Sequence, residues 1–487
     1  MISSNLLIPS IIMIAATNLL IPFVSRADSL MRNFLLIFTS SFFLLNILII
    51  DWFFLSGMRA EITVYSFGLY QLGFNLEPVG IIFLNLIATL WVCALGYSTK
   101  FLAVNNMHNT SRFLFFINLC VLFGILIALA SNLFTMFICY ELLTLATIPL
   151  IAHELSEKVS KSLYRYLKIL MISALVLFLP AVIMIYAKVG HGNFLPGGII
   201  ENNFSKINTI ILLLMFVFGI SKTAIYPLHS WLPAAMVASY PVSALLHAVI
   251  VVKAGLFCIF KILIYIFGLQ YLQNIFAEFN WIIYLPVITI FYSSIKALNT
   301  NNIKMILAYS TITQLSLSLL AAFMFTPKAM AAAILHMVAH SFSKISMFYT
   351  AGNFYSVKNT YVIQDLYGIW KEMPRSSSMF AIAALSLVGI PPLGGFISKF
   401  FILFAAARHE QYIVIFTVLA SSVLTATYLS RIMLFIFKKN SNEQKALYLN
   451  LEKTLPMPML VSIYICIALV VFFFIVQKFI GQFLLYL

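Results

Sequence analysis

A handful of ionisable residues stand inside apolar runs long enough to bury them, and their types and spacing suit the passage of protons. Glu141 interrupts Leu133-Phe-Thr-Met-Phe-Ile-Cys-Tyr-Glu-Leu-Leu-Thr. Lys222 ends a long apolar run, and His247 and Lys253 share the next one. His336, His340 and Lys344 recur at i, i+4 and i+8, which puts all three on one helix face in steps of about 6 Å along the axis. Lys399 follows a Gly- and Pro-rich break. A charge at the centre of a bilayer costs about 2.5–3.5 kcal/mol even on a lenient scale. Burial favours the neutral form of such groups and brings their titration toward neutral pH. A row of them joined by water conducts protons. Glu141 beside Lys222 would add an electrostatic gate: as the two separate, the lysine loses its counter-charge and its proton moves on toward Lys253. Plainer readings stand beside these. Glu141 and Lys222 also fit a structural ion pair, His247 a core histidine bonded to a carbonyl, and Lys253 and Lys399 chains that snorkel to an interface. Asp51 reads as interfacial, and His229 in the first broken segment fits either role. His336 and His340 lack a third ligand, so no metal is expected. No Gly-rich phosphate loop, dinucleotide motif or nucleophile triad is present, and no cofactor is expected.

The elements that must position these groups are membrane helices. Of the 487 residues 63% are hydrophobic and 9% charged, too few charges to clothe a soluble protein of this length. Apolar runs long enough to cross a core of roughly 30 Å recur throughout. The expected fold is an all-α polytopic membrane protein of about fourteen spans, near 5–24, 34–55, 79–98, 112–130, 132–152, 166–186, 208–226, 241–263, 279–299, 303–325, 329–351, 379–407, 412–437 and 456–484. The segment 60–79 alternates and carries glycines, as a surface hairpin would. Residues 5–24 lack a positive leader and are followed by Arg26 and Arg32, so they read as a retained first span despite the Ser25-Arg26-Ala27 site.

The net charge of +15 does not point to nucleic acid, because the basic residues sit in short loops between apolar spans. With the N-terminus outside, the inner loops hold Arg26, Arg32, Lys100, Arg112, Lys158, Lys161, Arg165, Lys168, Lys304, Lys358, Lys371, Arg375, Lys438, Lys439, Lys445 and Lys453. The outer loops hold Arg59, Lys188, Lys206, Lys328 and Arg408. This asymmetry predicts a bacterial inner-membrane protein with both termini periplasmic. Cys93, Cys120, Cys139, Cys258 and Cys466 lie in apolar spans without paired spacing, so no disulfide framework is expected. Prolines break the seventh and twelfth spans, in Gly219-Ile-Ser-Lys-Thr-Ala-Ile-Tyr-Pro227-Leu-His-Ser-Trp-Leu-Pro233 and Val388-Gly-Ile-Pro-Pro-Leu-Gly-Gly-Phe-Ile-Ser-Lys399. Broken backbone at membrane depth persists only where protein or water satisfies it, and transporters with inverted repeats place such breaks beside the ion path. The layout divides into N-terminal helices with the hairpin (1–111), a first five-helix repeat (112–263), a second, inverted one (279–437) and a last helix (456–487).

Several stretches together resemble the large proton-pumping subunits of respiratory complex I and their relatives in Mrp-type cation/proton antiporters and membrane-bound hydrogenases. They are Ser131-Asn-Leu-Phe…Glu141-Leu-Leu-Thr-Leu, Lys222-Thr-Ala-Ile-Tyr-Pro-Leu-His-Ser-Trp-Leu-Pro233, Pro241-Val-Ser-Ala-Leu-Leu-His-Ala248, Leu307-Ala-Tyr-Ser-Thr-Ile-Thr-Gln314 and Gly389-Ile-Pro-Pro-Leu-Gly-Gly-Phe396. The resemblance implies a fourteen-helix core with two inverted five-helix repeats. It implies that Glu141 and Lys222 are the family's glutamate–lysine pair, Lys253 its connecting lysine, and His336, His340 and Lys344 its relay. It places the terminal ionisable residue at Lys399. The M-type subunit of complex I typically has glutamate there. The L-type subunit of complex I and the A-type subunit of the antiporters run well beyond the last span found here, so these three are disfavoured. Pro233-Ala-Ala lacks the Asp that relatives often carry after Trp-Leu-Pro. The turn Pro149-Leu-Ile-Ala-His153 is similar to the D-type antiporter subunit more than to the N-type subunit of complex I. The expected role is a proton-translocating, D-type subunit of an Mrp-type antiporter. The alternative is the same scaffold in complex I (as an N- or M-type subunit) or in a hydrogenase, with redox chemistry left to partners. Other membrane subunits, protons, and Na⁺ or K⁺ are the expected partners. A non-transporting scaffold and a solute transporter are the remaining alternatives.

Overall fold

The computed structural model describes residues 6–24, 29–154, 156–201, 203–438 and 451–485. Arg26, Lys439 and Lys445, and the site at Ser25-Arg26-Ala27, lie outside the described residues. The chain opens with helices α1 (Leu7–Val24) and α2 (Ser29–Leu55). The antiparallel hairpin expected near 60–79 follows as β1 (Glu61–Phe67) and β2 (Tyr70–Asn75), with Phe67 opposite Tyr70. Gly73 pins it: its amide donates to Thr135 Oγ1 at 3.0 Å, and a Cβ there would lie 2.5 Å from Ser131 Oγ.

Helices α3 (Pro78–Val104), α4 (Thr110–Leu129) and α5 (Leu133–Ile151) come next. Helix α6 (Glu157–Ser173) starts earlier than the apolar run, because Ser156 caps it by accepting from the Val159 amide. Lys158, Lys161, Arg165 and Lys168 therefore stand exposed on its first turns and not in a loop. A π turn at Ala174–Phe178 carries α6 into α7 (Leu179–Val189). Helix α8 (Lys206–Gly219) stops at the first break, where short turns at Ser221–Thr223 and Leu228–Ser230 precede α9 (Trp231–Ala234). Then α10 (Tyr240–Ala244), a π turn at Leu245–Val249 and α11 (Val251–Ile262) form one buried rod, with every residue of α11 buried. A further π turn and α12 (Leu269–Ile275) lead to α13 (Tyr284–Leu298).

Helix α14 (Ile303–Ala322) begins where the Asn302 side chain accepts from the Met305 amide. Helix α15 (Pro327–Lys358), 32 residues long, crosses the middle of the bundle. The second break separates α16 (Pro374–Val388) from α17 (Gly394–Arg408). Gly395 lets them touch, since a Cβ there would fall 1.7 Å from the Ser386 carbonyl oxygen. Helix α18 (Tyr412–Phe437) precedes α19 (Met457–Val471) and α20 (Phe473–Leu484), which meet at a bend of 70°. Both breaks fall where the prolines predict them.

Among the described residues 9 helices are long and apolar enough to cross a membrane, or up to 10 counting the bent pair as one. The larger expectation of about fourteen includes shorter pieces such as α1 and α8, the halves of the second broken span, and α15, whose interior is rich in Ser, His and Lys. One end of the bundle gathers the loops after α3, α5 and α15: Asn105 Nδ2 donates to Ser356 Oγ at 3.0 Å, and His153 Nε2 lies 2.9 Å from the His108 carbonyl. Lys100, Arg112, Lys158, Lys161 and Lys358 cluster there, so it is the basic end. The hairpin and the start of α3 mark the other.

Candidate ion path

The first half of the row is built around the break after α8. Lys222, wholly buried, stands on the short turn that replaces helix there. Its amine donates to the Tyr140 carbonyl at 2.5 Å and lies 3.3 Å from the centre of the Tyr140 ring, while its amide donates to the Tyr140 hydroxyl at 3.2 Å. Glu141 is the next residue on α5, yet among the described residues no ion pair joins it to Lys222. Both its carboxylate oxygens are buried without a hydrogen-bond partner in the protein. The two charges are neighbours held apart, with the lysine turned to main chain. Gly255 brings α11 against this turn: a Cβ would lie 2.8 Å from the Lys222 carbonyl carbon. Lys253 is two residues away.

In the second half, groups from different helices meet. Lys253 on α11 donates to Nδ1 of His340 on α15, both wholly inside the bundle. One turn along α15, His336 Nδ1 lies 2.9 Å from Oγ of Ser398 on α17. Lys399, the adjoining residue, donates to the Leu387 and Val388 carbonyls at 2.8 and 3.1 Å and to Ser422 Oγ at 3.0 Å. Those carbonyls are the last of α16, left without helical partners by the break. On the other side of His340, Lys344 donates to the Leu307 carbonyl of α14 at 3.0 Å. Nε2 of both His336 and His340 is unpaired within the protein. His247 sits on the π turn before α11, 5.0 Å from the Phe348 ring, with neither ring nitrogen bonded. Such π turns recur at functional positions because the extra residue re-aims side chains. Lys253, His340, His336 and Lys399 thus form a nearly continuous row, with Lys344 and His247 flanking it and Lys222 joined to it through backbone packing.

The sequence reading missed or misplaced four buried charged residues, Lys261, Glu77, Lys304 and Asp51. Lys261 on α11 pairs with Glu77 at 2.7 Å, and its amine also donates to the Ala130 carbonyl. Glu77 immediately precedes Pro78, the place for an acidic helix-start residue, which was the one available signal. Lys304, expected in a loop, lies on the first turn of α14 and is buried; it donates to the Ala238 carbonyl. Asp51, expected at an interface, is also buried, accepting from Asn85 Nδ2 at 3.0 Å. His229 stacks on Tyr226 at 5.5 Å and meets Tyr292 at 4.7 Å.

The row from Glu141 to Lys399 falls inside residues 130–425, which match the family described as NADH:quinone oxidoreductase/Mrp antiporter, TM. The chain belongs to this family. Within the NADH:quinone oxidoreductase/Mrp antiporter family it is 30% identical over 393 residues to NAD(P)H-quinone oxidoreductase subunit 5 of the Pelargonium hortorum chloroplast, covering 76% of this chain and 50% of that one. It is 28% identical over 373 residues to the putative antiporter subunit mnhA2 of Staphylococcus haemolyticus, covering 72% and 46%. The chain spans about half the length of these curated relatives. Its fold matches a chain of the membrane-bound sulfane sulfur reductase, an archaeal respiratory membrane complex, with a TM-score of 0.82 at 21% identity, covering 98% of this chain and 96% of that one. It matches a chain of the Mrp complex from Dietzia sp. DQ12-45-1b with a TM-score of 0.82 at 17% identity, covering 99% and 96%. At these identities the structural likeness speaks for the fold alone. The family is one of membrane subunits of multisubunit complexes.

Proposed function

We propose that this chain is the proton-translocating subunit of a multisubunit monovalent cation/proton antiporter, passing protons along Glu141, Lys222, His247, Lys253, His340, His336, Lys344 and Lys399. The observation that carries the reading is the direct contact of Lys253 with His340, followed one turn on by the His336–Ser398 bond beside Lys399. An amine and an imidazole that share a hydrogen bond between two buried helices can exchange a proton, and a packed apolar core has no structural need for either. The breaks support the same reading, since Lys222 and Lys399 each stand beside one and bond to main-chain carbonyls. That symmetry also favours two inverted five-helix repeats, 112–263 and 279–437, within a count of fourteen spans. The basic end would face the cytoplasm of a bacterial inner membrane, with both termini periplasmic, by the positive-inside rule. Other membrane subunits, and Na⁺ or K⁺ as the exchanged ion, complete the assembly.

The D-type assignment rests on the turn Pro149–His153. The relative at 28% identity is an antiporter subunit named mnhA2, whereas the one at 30% is a quinone oxidoreductase subunit 5, which favours a second reading, a proton-pumping subunit of a redox-driven complex. Purifying the native complex and identifying its subunits separates the two: small antiporter subunits in one case, flavin and iron–sulfur subunits in the other. Proton translocation itself is tested in proteoliposomes holding the whole complex. Lys344→Met keeps an unbranched apolar chain of similar length and should cut proton flux at least tenfold with assembly unchanged. Unchanged flux would remove the row from the path.

A further inference from the structure

Lys304 is a lysine enclosed at the basic end without a carboxylate partner among the described residues. Its amine donates to the Ala238 carbonyl and sits 4.9 Å from the Tyr240 ring centre and 5.3 Å from that of Tyr361. Two cavities reach this spot. One, of about 490 Å³, is walled in part by Asn105, His153, Ala238, Ser239, Tyr240 and Tyr361. The other, of about 520 Å³, lies against Lys158, Met236, Asn302, Lys304 and Tyr361. They share Ser156, Val159, Val237 and Tyr361, so they flank one wall. Both are large enough to hold many water molecules, each of which occupies roughly 30 Å³.

On the far side of Lys304 lies the buried row. Leu307, whose carbonyl holds the Lys344 amine at 3.0 Å, is three residues along α14 from Lys304, about 4.5 Å of helix rise. Tyr240, whose hydroxyl has no hydrogen-bond partner in the protein, starts the rod that carries His247 seven residues later, about 10 Å of rise. Lys304 thus stands between a cavity that it lines and the stripe on α15.

We propose that these cavities are the aqueous mouth of the path at the basic end, and that Lys304 is the residue that loads protons from them toward Lys344 and His247. The inference rests on the proton-translocation reading above and adds to it a place and a residue. The step balances simply: the neutral amine takes a proton from a hydronium ion in the cavity, leaving water, and regains its neutral form when that proton passes inward. The π faces of Tyr240 and Tyr361 stabilise the ammonium form without neutralising it. A carboxylate in their place would hold the proton more firmly.

The competing role is structural, a cation that pins the unwound Ala238 segment to α14. Replacing Lys304 by Arg separates the two, because a guanidinium can make the carbonyl bond and both ring contacts but does not give up its proton. In proteoliposomes containing the whole complex, Lys304→Met and Lys304→Arg should each lower proton flux at least tenfold, with assembly intact. Restored flux in Lys304→Arg overturns the loading role in favour of the structural one. Unchanged flux in both variants while Lys344→Met blocks would sink this inference and leave the proposed function standing; unchanged flux in all three would remove both. A second measurement addresses the mouth. The native cysteines are buried, so a Glu154→Cys variant, exposed on the wall of the first cavity, can be labelled selectively with a membrane-impermeant charged thiol reagent. Labelling from the basic side alone, with flux falling several-fold relative to the same sample unlabelled, supports the mouth; labelling without loss of flux overturns it.

Discussion

The ion pair of Glu77 and Lys261 offers a sharp test of how buried charge is carried in this chain. Lys261 has no exposed side-chain surface and Glu77 has 8%, and their charged atoms are 2.7 Å apart. In Lys261→Met the carboxylate stays in place without its counter-charge, and breaking such a pair costs about 3–5 kcal/mol. The loss has a ceiling, because the stranded carboxylate can take up a proton. Raising an ordinary glutamate value near 4.3 to pH 7 spans about 2.7 units, or ~3.7 kcal/mol, so the variant should lose about 3–4 kcal/mol at neutral pH. The folded variant then binds a proton that the unfolded chain does not, so its stability rises as pH falls. Between pH 7 and pH 5 it should regain up to about 2.7 kcal/mol relative to the native chain. Glu77→Gln combined with Lys261→Met removes both charges and should stand within about 1 kcal/mol of the native chain. The five free cysteines are all buried, Cys258 one turn from Lys261, so a thiol-reactive fluorophore reports unfolding directly. A chain of this size loses only about 1–2 °C of midpoint per kcal/mol, so the single variant should melt roughly 3–8 °C early at pH 7. Equal melting of the single and double variants, or a deficit that does not shrink at pH 5, would refute the reasoning.

Further outcomes follow from other contacts. Glu141→Ala should abolish ion-coupled flux in vesicles while the protein still inserts and assembles; loss of the protein itself would favour a structural carboxylate. Gly395→Ala puts a Cβ 1.7 Å from the Ser386 carbonyl oxygen, so α17 must leave α16 at a cost of at least about 1–3 kcal/mol, seen as poor assembly and lost flux. Gly255→Ala should displace the Lys222 turn, with its Cβ 2.8 Å from main-chain atoms there, and slow flux several-fold in whatever protein assembles. Reporter fusions after Lys158 and Lys439 should read cytoplasmic and one at the C-terminus periplasmic; a cytoplasmic C-terminus contradicts the orientation.

What was legible in the sequence was local. The hairpin announced itself by alternation and glycines, and the breaks by their prolines. The α15 stripe needed only the helix period, which aligns His336, His340 and Lys344 whatever surrounds them. What was not legible depends on distant contacts. Nothing near Lys261 says that Glu77 will meet it, because the two ends come together only when α3 and α11 pack. Lys304 read as a loop residue because it opens an apolar run, and only the Asn302 cap and the approach of Ala238 turn it inward. The pairing of Glu141 with Lys222 reads naturally from their charges, yet the lysine faces Tyr140, because the break at Gly219 leaves it on a turn of separate geometry.

Lys222, Lys304, Lys344 and Lys399 all hold main-chain carbonyls. Every amino acid supplies a carbonyl oxygen, so no substitution at Tyr140, Ala238, Leu307 or Leu387 can delete the acceptor that its lysine uses. Ala238, Leu307 and Leu387 are therefore free to drift in chemistry as long as the helices keep their register, whereas Tyr140 also meets Lys222 through its ring and hydroxyl. Inserting or deleting a single residue is another matter, since in α14 or α16 it would rotate the acceptor by about 100° and carry it away from the amine. Over time the lineage of this chain should record many exchanges of side chain around the path and almost no change in the lengths of the helices that line it.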